Sequence, residues 1–324
     1  MSKLTVVVPA YNEAAVLEAF HQRLCAVLGS LPQTCDVLYV DDGSHDATWT
    51  IISQLAARDA RCGGLKLSRN FGKEAALTAG LDQVDADAAV VIDADLQDPP
   101  ELIPQLVARW QEGYDVVYAT RSARAGESRL KKFTAAAFYR TMEKMSDTSV
   151  PRDTGDFRLM SRRALDALHQ LRERQRFMKG LFAWIGYRQT AVYYQRDPRL
   201  AGQTKWNYWR LTQLAIEGIT SFSTAPLKLA TWVGSATALL AFVYGLEVIV
   251  KALLYGNNVR GYPSLMVVIL FLGGIQLLAL GVIGEYLGRN YAESKRRPLY
   301  FIEEKHVARD TTPASHPLRT SALD

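Results

Sequence analysis

Residues 4–119 repeat one pattern: a short apolar run, a polar cluster, then a stretch with helical periodicity. The apolar runs fall at 4–8, 37–40, 65–67, 88–92 and 116–119, and the helical stretches at 14–28, 47–60, 73–81 and 102–112. This alternation predicts a mostly parallel sheet, because parallel neighbours need a crossover and a helix is the usual one. Runs that are apolar throughout, such as Val90-Val91-Ile92, predict strands covered on both faces. Ligands on such sheets bind beyond the carboxyl ends of the strands. The polar clusters lie there: Pro9-Ala10-Tyr11-Asn12-Glu13, Asp41-Asp42-Gly43-Ser44, Arg69-Asn70-Phe71-Gly72-Lys73, Asp93-Ala94-Asp95 and Thr120-Arg121-Ser122.

The Asp93-Ala94-Asp95 cluster carries the most chemistry. Residues two apart on an extended chain point to one side, so Asp93 and Asp95 face the same way at a strand end. Two neighbouring carboxylates repel unless a cation lies between them. A hard divalent ion shared with a diphosphate meets that need, and Gln97 continues the spacing as a neutral oxygen ligand. Pro99 and Pro100 end any strand there. The chain has no Gly-x-Gly-x-x-Gly and no Walker lysine loop, so a dinucleotide or P-loop site lacks its phosphate cradle.

A net charge of +5 suits anionic phosphates, an anionic membrane surface or nucleic acid and does not choose among them. Three cysteines, Cys25, Cys35 and Cys62, with no Cys-x-x-Cys, argue against a disulfide framework or a zinc site and for a reducing compartment. Met1-Ser2-Lys3 runs directly into the first strand, without a signal-peptide pattern. Arg124, Arg129, Lys131 and Lys132 cluster after the fifth strand. Thr154 to Met160 forms a further polar motif, and a helix is expected from Ser161.

From Trp206 to Phe222, apolar residues recur at helical spacing, which predicts an amphipathic helix in the membrane interface. Two uncharged stretches follow, at 229–246 and 264–284. About twenty apolar residues span a bilayer as helix, so spans are expected at about 229–250 and 264–287. The joining loop carries only Lys251 and Arg260. Lys205, Arg210 and Lys228 precede the pair, and Arg289, Lys295, Arg296 and Arg297 follow it. The positive-inside rule then puts both termini in the cytoplasm. The expected organisation is a catalytic domain at 1–205, a juxtamembrane helix at 206–228, a hairpin at 229–288 and a tail at 289–324, polar and disordered after about 305.

The segments 6–13, 41–44 and 93–95 resemble the family-2 glycosyltransferases of GT-A fold. Arg69-Asn70-Phe71-Gly72-Lys73-Glu74, Gly155-Asp156-Phe157-Arg158-Leu159-Met160-Ser161, Glu217-Gly218-Ile219-Thr220-Ser221-Phe222-Ser223, Arg260-Gly261-Tyr262-Pro263-Ser264 and Gly284-Glu285-Tyr286-Leu287-Gly288-Arg289 narrow this to a resemblance to the bactoprenol glucosyltransferases. The resemblance runs from about residue 4 to 301. It implies inverting transfer of glucose from UDP-glucose to undecaprenyl phosphate, with Mg²⁺ or Mn²⁺, at the cytoplasmic face of a bacterial plasma membrane. It also implies a lipid-linked product for cell-surface polysaccharide, a flippase and a second membrane glycosyltransferase as partners, and a homo-oligomer; nucleic acid is not expected.

By resemblance, Pro9, Tyr11, Glu13 and Asp41 form the nucleotide pocket, and Asp93, Asp95 and Gln97 the metal and diphosphate site. Lys205 binds the donor diphosphate, Arg121 and Arg199 bind the acceptor phosphate, and Asp156 is the catalytic carboxylate beside Asp95. Two alternatives stand beside this reading. One is another sugar, mannose or a modified arabinose, on the same lipid; the other is an inactive membrane scaffold or transporter subunit, which would predict an eroded Asp-x-Asp motif.

Overall fold

The computed structural model describes residues 2–121, 154–174, 176, 178–194, 225–255 and 261–308. The amphipathic stretch 206–222, Arg199, Lys205 and the basic cluster 124–132 lie outside the described residues. Eight strands form one sheet: β1 (Lys3–Ala10), β2 (Thr34–Asp41), β3 (Cys62–Leu67), β4 (Ala88–Val91), β5 (Val116–Arg121), β6 (Thr154–Ser161), β7 (Gln189–Tyr194) and β8 (Ile302–His306). Their order across the sheet is β7-β5-β6-β4-β1-β2-β3-β8. β1 pairs in parallel with β2 and β4, β2 with β3, and β5 with β7. β6 runs antiparallel between β4 and β5, and β8 antiparallel along the edge at β3.

The crossover helices are α1 (Leu17–Leu28), α2 (Thr48–Arg58), α3 (Lys73–Leu81) and α4 (Ile103–Gln111), entered through a 3-10 turn at Pro100–Leu102. α5 (Arg162–Gln170) and α6 (Met178–Trp184) follow β6. The pleat divides the core between two faces. Val6 and Val8 of β1, with Ala88 and Val90 of β4, pack against Leu17, Phe20, Leu24, Ile52, Ile103 and Leu106 of α1, α2 and α4. Val7, Ala89 and Val91 face the other way, into the cluster with Ala76, Leu77, Leu81, Leu165 and Phe182 of α3, α5 and α6. Both faces of the strands are therefore dry, which is why these runs are apolar throughout. At Gly80 a Cβ would lie 2.4 Å from Val7 Cγ1 and 2.9 Å from Val40 Cγ2, so glycine lets α3 approach the sheet closely.

Three strands were not foreseen. In β6, Gly155, Asp156 and Arg158 interrupt the apolar run, so its strand character is hidden, although Phe157 and Leu159 are buried on one face and Met160 on the other. The helix expected from Ser161 is α5, and Ser161 Oγ caps it by accepting the Ala164 N–H at 3.3 Å. β7 carries an exposed Tyr193. β8 reads Ile-Glu-Glu-Lys-His, polar because it is an edge strand held mainly by backbone pairing.

β8 and the residues before it strap the segment after the hairpin onto the sheet. Ser68 N–H donates to the Phe301 carbonyl at 3.0 Å, and Tyr300 Oη donates to Asp82 Oδ2 at 2.8 Å. Lys66 lies 3.2 Å from both Glu303 and Glu304, and Trp49 stacks on His306 with ring centroids 5.2 Å apart. Ending the chain after Arg297 should lower the melting temperature by about 4 °C or more, if these contacts contribute about 2 kcal/mol and each kcal/mol is worth ~2–4 °C in a domain of this size. An unchanged melting temperature would mean that β8 adds nothing to the stability of the sheet.

α7 (Ala225–Tyr255) and α8 (Tyr262–Ser294) pack against each other as a hairpin. Their apolar spans cover 25 and 28 residues, Leu227–Lys251 and Val267–Ser294. At ~1.5 Å per residue the shorter is about 38 Å long, more than the ~30 Å hydrocarbon core of a bilayer. Trp232, Leu240, Leu253 and Leu278 stand exposed on these helices.

Candidate active site

The parallel strands β1, β2, β3 and β4 all end on one edge of the sheet. β6 is antiparallel, so its beginning reaches the same edge. There a cleft of ≈ 230 Å³ is lined by Pro9, Tyr11 and Glu13 after β1, Asp42 after β2, Asn70, Gly72 and Lys73 after β3, and Asp93, Ala94 and Asp95 after β4.

Two loops are latched to build its wall. The loop after β1 turns at Asn12, whose φ is +56°. Asn12 N–H donates to Ser44 Oγ at 2.9 Å, His45 N–H donates to Asn12 Oδ1 at 2.9 Å, and Glu13 N–H donates to Thr48 Oγ1 at 2.9 Å. The ring of Tyr11, partly exposed over the cleft, meets His45 edge-on. The loop after β3 hangs from Asp42, whose carboxylate accepts the Phe71 N–H at 2.8 Å and the Gly72 N–H at 2.9 Å. Burial pushes the Asp42 carboxyl up, and these two N–H groups pull it down. Gly43 has φ +66°, and a Cβ there would lie 2.5 Å from the Arg69 carbonyl carbon, so the two loops touch backbone to backbone.

The centre of the site is one ammonium between two carboxylates. Lys73 Nζ lies 2.7 Å from Asp93 Oδ2 and 2.6 Å from Asp156 Oδ2. The antiparallel β4–β6 register explains the meeting: Val91 pairs with Arg158, and Asp93 lies two residues after Val91 while Asp156 lies two residues before Arg158. Burial opposes the Lys73 charge, but Asp93 and then Asp156 outweigh it and hold its pKa above the usual lysine range. Burial pushes the Asp93 carboxyl up, Lys73 pulls it down, Asp156 raises it again, and the net is upward. Asp93 Oδ1 is buried and accepts no hydrogen bond among the described residues.

Asp95 Oδ1 accepts the Gln97 N–H at 3.1 Å. Between them Leu96 takes φ +59°, a left-handed conformation that costs about 1–3 kcal/mol in a non-glycine residue. Its side chain is buried in the apolar core, and that burial offsets the strain while the loop turns Asp95 to the cleft. Beyond it, Tyr194 of β7 donates a short hydrogen bond to Asp98. Behind Asp156, Arg158 is buried over the face of Phe182, 3.8 Å from its centroid, and donates to the Gly155 carbonyl at 2.9 Å. Burial lowers its pKa to about 10, so it stays charged at neutral pH beside Asp156.

Of the residues singled out in the sequence, the cleft gathers Pro9, Tyr11, Glu13, Asp93 and Asp95, and Lys73 joins Asp156 to them. Asp41 is placed differently: it is fully buried and accepts the Ser44 N–H at 3.2 Å, while its neighbour Asp42 lines the cleft. Successive side chains leave a strand end on opposite sides, so only one of this pair can face the ligand. Gln97 is also buried and off the cleft lining; its main-chain N–H, not its amide, meets Asp95. Arg121 is the last residue of β5. In the sequence Lys73 and Asn70 stand in a polar cluster and in a segment that carries the resemblance, without a site role. The available signal is a lysine just after a glycine, at the first position of a helical stretch that follows a strand run.

Residues 5–168 match the family Glycosyl transferase family 2, and residues 225–289 match the GtrB C-terminal hairpin. The chain belongs to glycosyl transferase family 2, and it is a glycosyltransferase. It is 53% identical over 302 residues to an uncharacterized glycosyltransferase of Synechocystis sp. PCC 6803, covering 93% of this chain and 95% of that one. It is 47% identical over 304 residues to the SfII prophage-derived bactoprenol glucosyl transferase of Shigella flexneri, covering 94% and 98%. Among solved structures it is similar to glucosyl-3-phosphoglycerate synthase from Mycobacterium tuberculosis in complex with Mn²⁺, UDP-glucose and phosphoglyceric acid. That likeness has TM-score 0.46 and 19% identity over 68% of this chain and 78% of the other.

Proposed function

We propose that this chain transfers glucose from UDP-glucose to undecaprenyl phosphate at the cytoplasmic face of a membrane, with a divalent cation, Mg²⁺ or Mn²⁺, at Asp93 and Asp95. The observation that carries the reading is the charge of the cleft. Glu13, Asp42, Asp93 and Asp95 line it, and among the described lining residues Lys73 is the cation. A nucleotide diphosphate is repelled by such a wall unless a further positive charge comes with it. Asp93 Oδ1, buried and without a hydrogen bond among the described residues, and the cleft-facing Asp95 are hard oxygen donors of the kind a Mg²⁺ or Mn²⁺ ion takes. Such an ion supplies charge neutralisation for the departing UDP. The name of the Shigella flexneri relative supports glucose and a polyprenyl phosphate, since the likeness covers both the catalytic domain and the hairpin.

The chain's own residues have separate tasks. Tyr11 offers a partly exposed ring for the base, and Glu13 a carboxylate at the same wall. The acceptor is a phosphate monoester whose second pKa is ~6, so it is already mostly dianionic at neutral pH. Removing a proton is then a small part of the barrier. Asp156, gripped by Lys73 at 2.6 Å with Arg158 behind it, serves to orient those cations and the acceptor. Arg121, Arg199 and Lys205 are assigned to the phosphates, where arginine binds two oxygens at once. The hairpin α7–α8 crosses the bilayer and holds the cleft at the surface where the acceptor phosphate lies.

The test is purified protein with undecaprenyl phosphate and a panel of radiolabelled UDP-glucose, GDP-mannose and a UDP-linked aminoarabinose. Label should enter the lipid from UDP-glucose at least about tenfold faster than from the others, since pocket discrimination between close analogues starts near that size. Transfer from GDP-mannose alone, or from none of them, would overturn the reading.

A further inference from the structure

The Lys73 ammonium occupies the ground between two carboxylates that the sequence separates widely. It sits 2.7 Å from Asp93 and 2.6 Å from Asp156. A divalent cation held by Asp93 and Asp95 claims one of the same two carboxylates. Lys73 takes Oδ2 of Asp93 and leaves Oδ1 to the ion, so the two cations would stand a few ångströms apart and repel each other strongly in this part-buried site. The ammonium therefore weakens cation binding for as long as it stays.

Lys73 can yield without unfolding anything. It is the first residue of α3, its backbone follows Gly72 in an open loop, and its stem lines the cleft itself. The loop is anchored independently of the side chain, through Asp42 and the Phe71 and Gly72 N–H groups. Four single bonds carry the ammonium, so it can leave Asp93 for a diphosphate in the same cleft while the loop stays in place.

We propose that Lys73 is a built-in counter-cation that holds the Asp93–Asp156 pair together until the donor and a divalent cation arrive, and that it then turns to the donor diphosphate. This rests on the divalent-cation reading above. Lys73 thereby makes cation binding depend on the nucleotide. Without UDP, the ion must bind against the repulsion of the ammonium. With UDP, the diphosphate takes the ammonium and leaves Asp93 to the ion. By linkage the coupling is reciprocal, so the ion strengthens UDP binding by the same factor. The consequence is a site that free cation alone fills weakly.

The experiment measures Mn²⁺ binding by electron paramagnetic resonance on the detergent-purified full chain, with and without UDP, for the unaltered protein, Lys73→Met and Lys73→Gln. In the unaltered protein UDP should tighten Mn²⁺ by roughly fivefold to a hundredfold, the ordinary range for two coupled ligands. In both variants Mn²⁺ without UDP should bind about tenfold tighter than in the unaltered protein, and the coupling should shrink to the part that direct attraction between the diphosphate and the ion supplies. Melting in chelator checks that the variants fold. Loss of Lys73 removes the ammonium that pairs with both Asp93 and Asp156, so the melting temperature of the variants should fall in chelator and recover more with Mn²⁺ than that of the unaltered protein. Folded variants that bind Mn²⁺ no tighter than the unaltered protein, with coupling intact, would overturn the role of Lys73 and leave the cation reading standing. No Mn²⁺ binding by the unaltered protein even with UDP would overturn the cation reading, and this inference with it.

Discussion

Asp95→Asn is expected to slow sugar transfer by about a hundredfold to a thousandfold, the usual cost of losing one preorganised charge-stabilising group. Asp95 is a cleaner probe than Asp93, because Asp93 also pairs with Lys73 and its loss would disturb the whole centre. The Asn side chain keeps the shape and the oxygen that accepts the Gln97 N–H at 3.1 Å. Only the negative charge disappears, and with it the means of holding a divalent cation against the donor. Stability should be near normal, since the strained Leu96 keeps its buried side chain. The measurements are the initial rate of labelled sugar transfer to undecaprenyl phosphate and a thermal melt in the same detergent. Excess chelator should silence the unaltered protein, and added Mg²⁺ or Mn²⁺ should restore it. Near-normal turnover by Asp95→Asn, or full turnover in chelator, would refute the metal role.

Gly43→Val should damage both stability and activity, although Gly43 bears no chemistry. Its φ of +66° costs a branched residue about 1–3 kcal/mol. Its Cβ would stand 2.5 Å from the Arg69 carbonyl carbon and 2.7 Å from the Asn70 nitrogen. Backbone atoms cannot swing aside as a side chain can, so forcing room adds roughly another 1–3 kcal/mol. The strain falls on the loop that carries Asn70, Gly72 and Lys73, and a shift of about 1 Å there can cost a hundredfold in rate. Gly72→Ala is the matched control. Its φ is +98°, but nothing lies within 4 Å of the added Cβ, so it suffers backbone strain without collision. The valine variant should melt several degrees lower and turn over about a hundredfold more slowly, with the Gly72→Ala loss clearly smaller. Equal losses in the two variants would mean that strain alone, not close backbone contact, decides the effect.

What the sequence determined by itself was whatever depends on neighbours along the chain. The periods of β1 to β5 and α1 to α4 were legible, because each element buries residues at its own local spacing. The span from Lys73 to Leu81 was legible residue for residue as α3. So were two long apolar helices near 229–250 and 264–287, which fall within α7 and α8, because apolar runs of that length need no partner to be recognised. The Asp-x-Asp spacing alone placed Asp93 and Asp95 on one side of a strand end. Edge and interrupted strands were not legible: β8 is held chiefly by backbone pairing with β3, and the polar residues of β6 conceal its alternation. Whether Asp41 or Asp42 faces the cleft turned on which side of the sheet edge each residue leaves: Asp42 is on the cleft lining, and Asp41 accepts the Ser44 N–H instead. Only the tertiary structure made a centre out of Asp93, Lys73 and Asp156. They come from three separate elements, and the antiparallel register of β6 against β4 is what sets two distant carboxylates on either side of one ammonium.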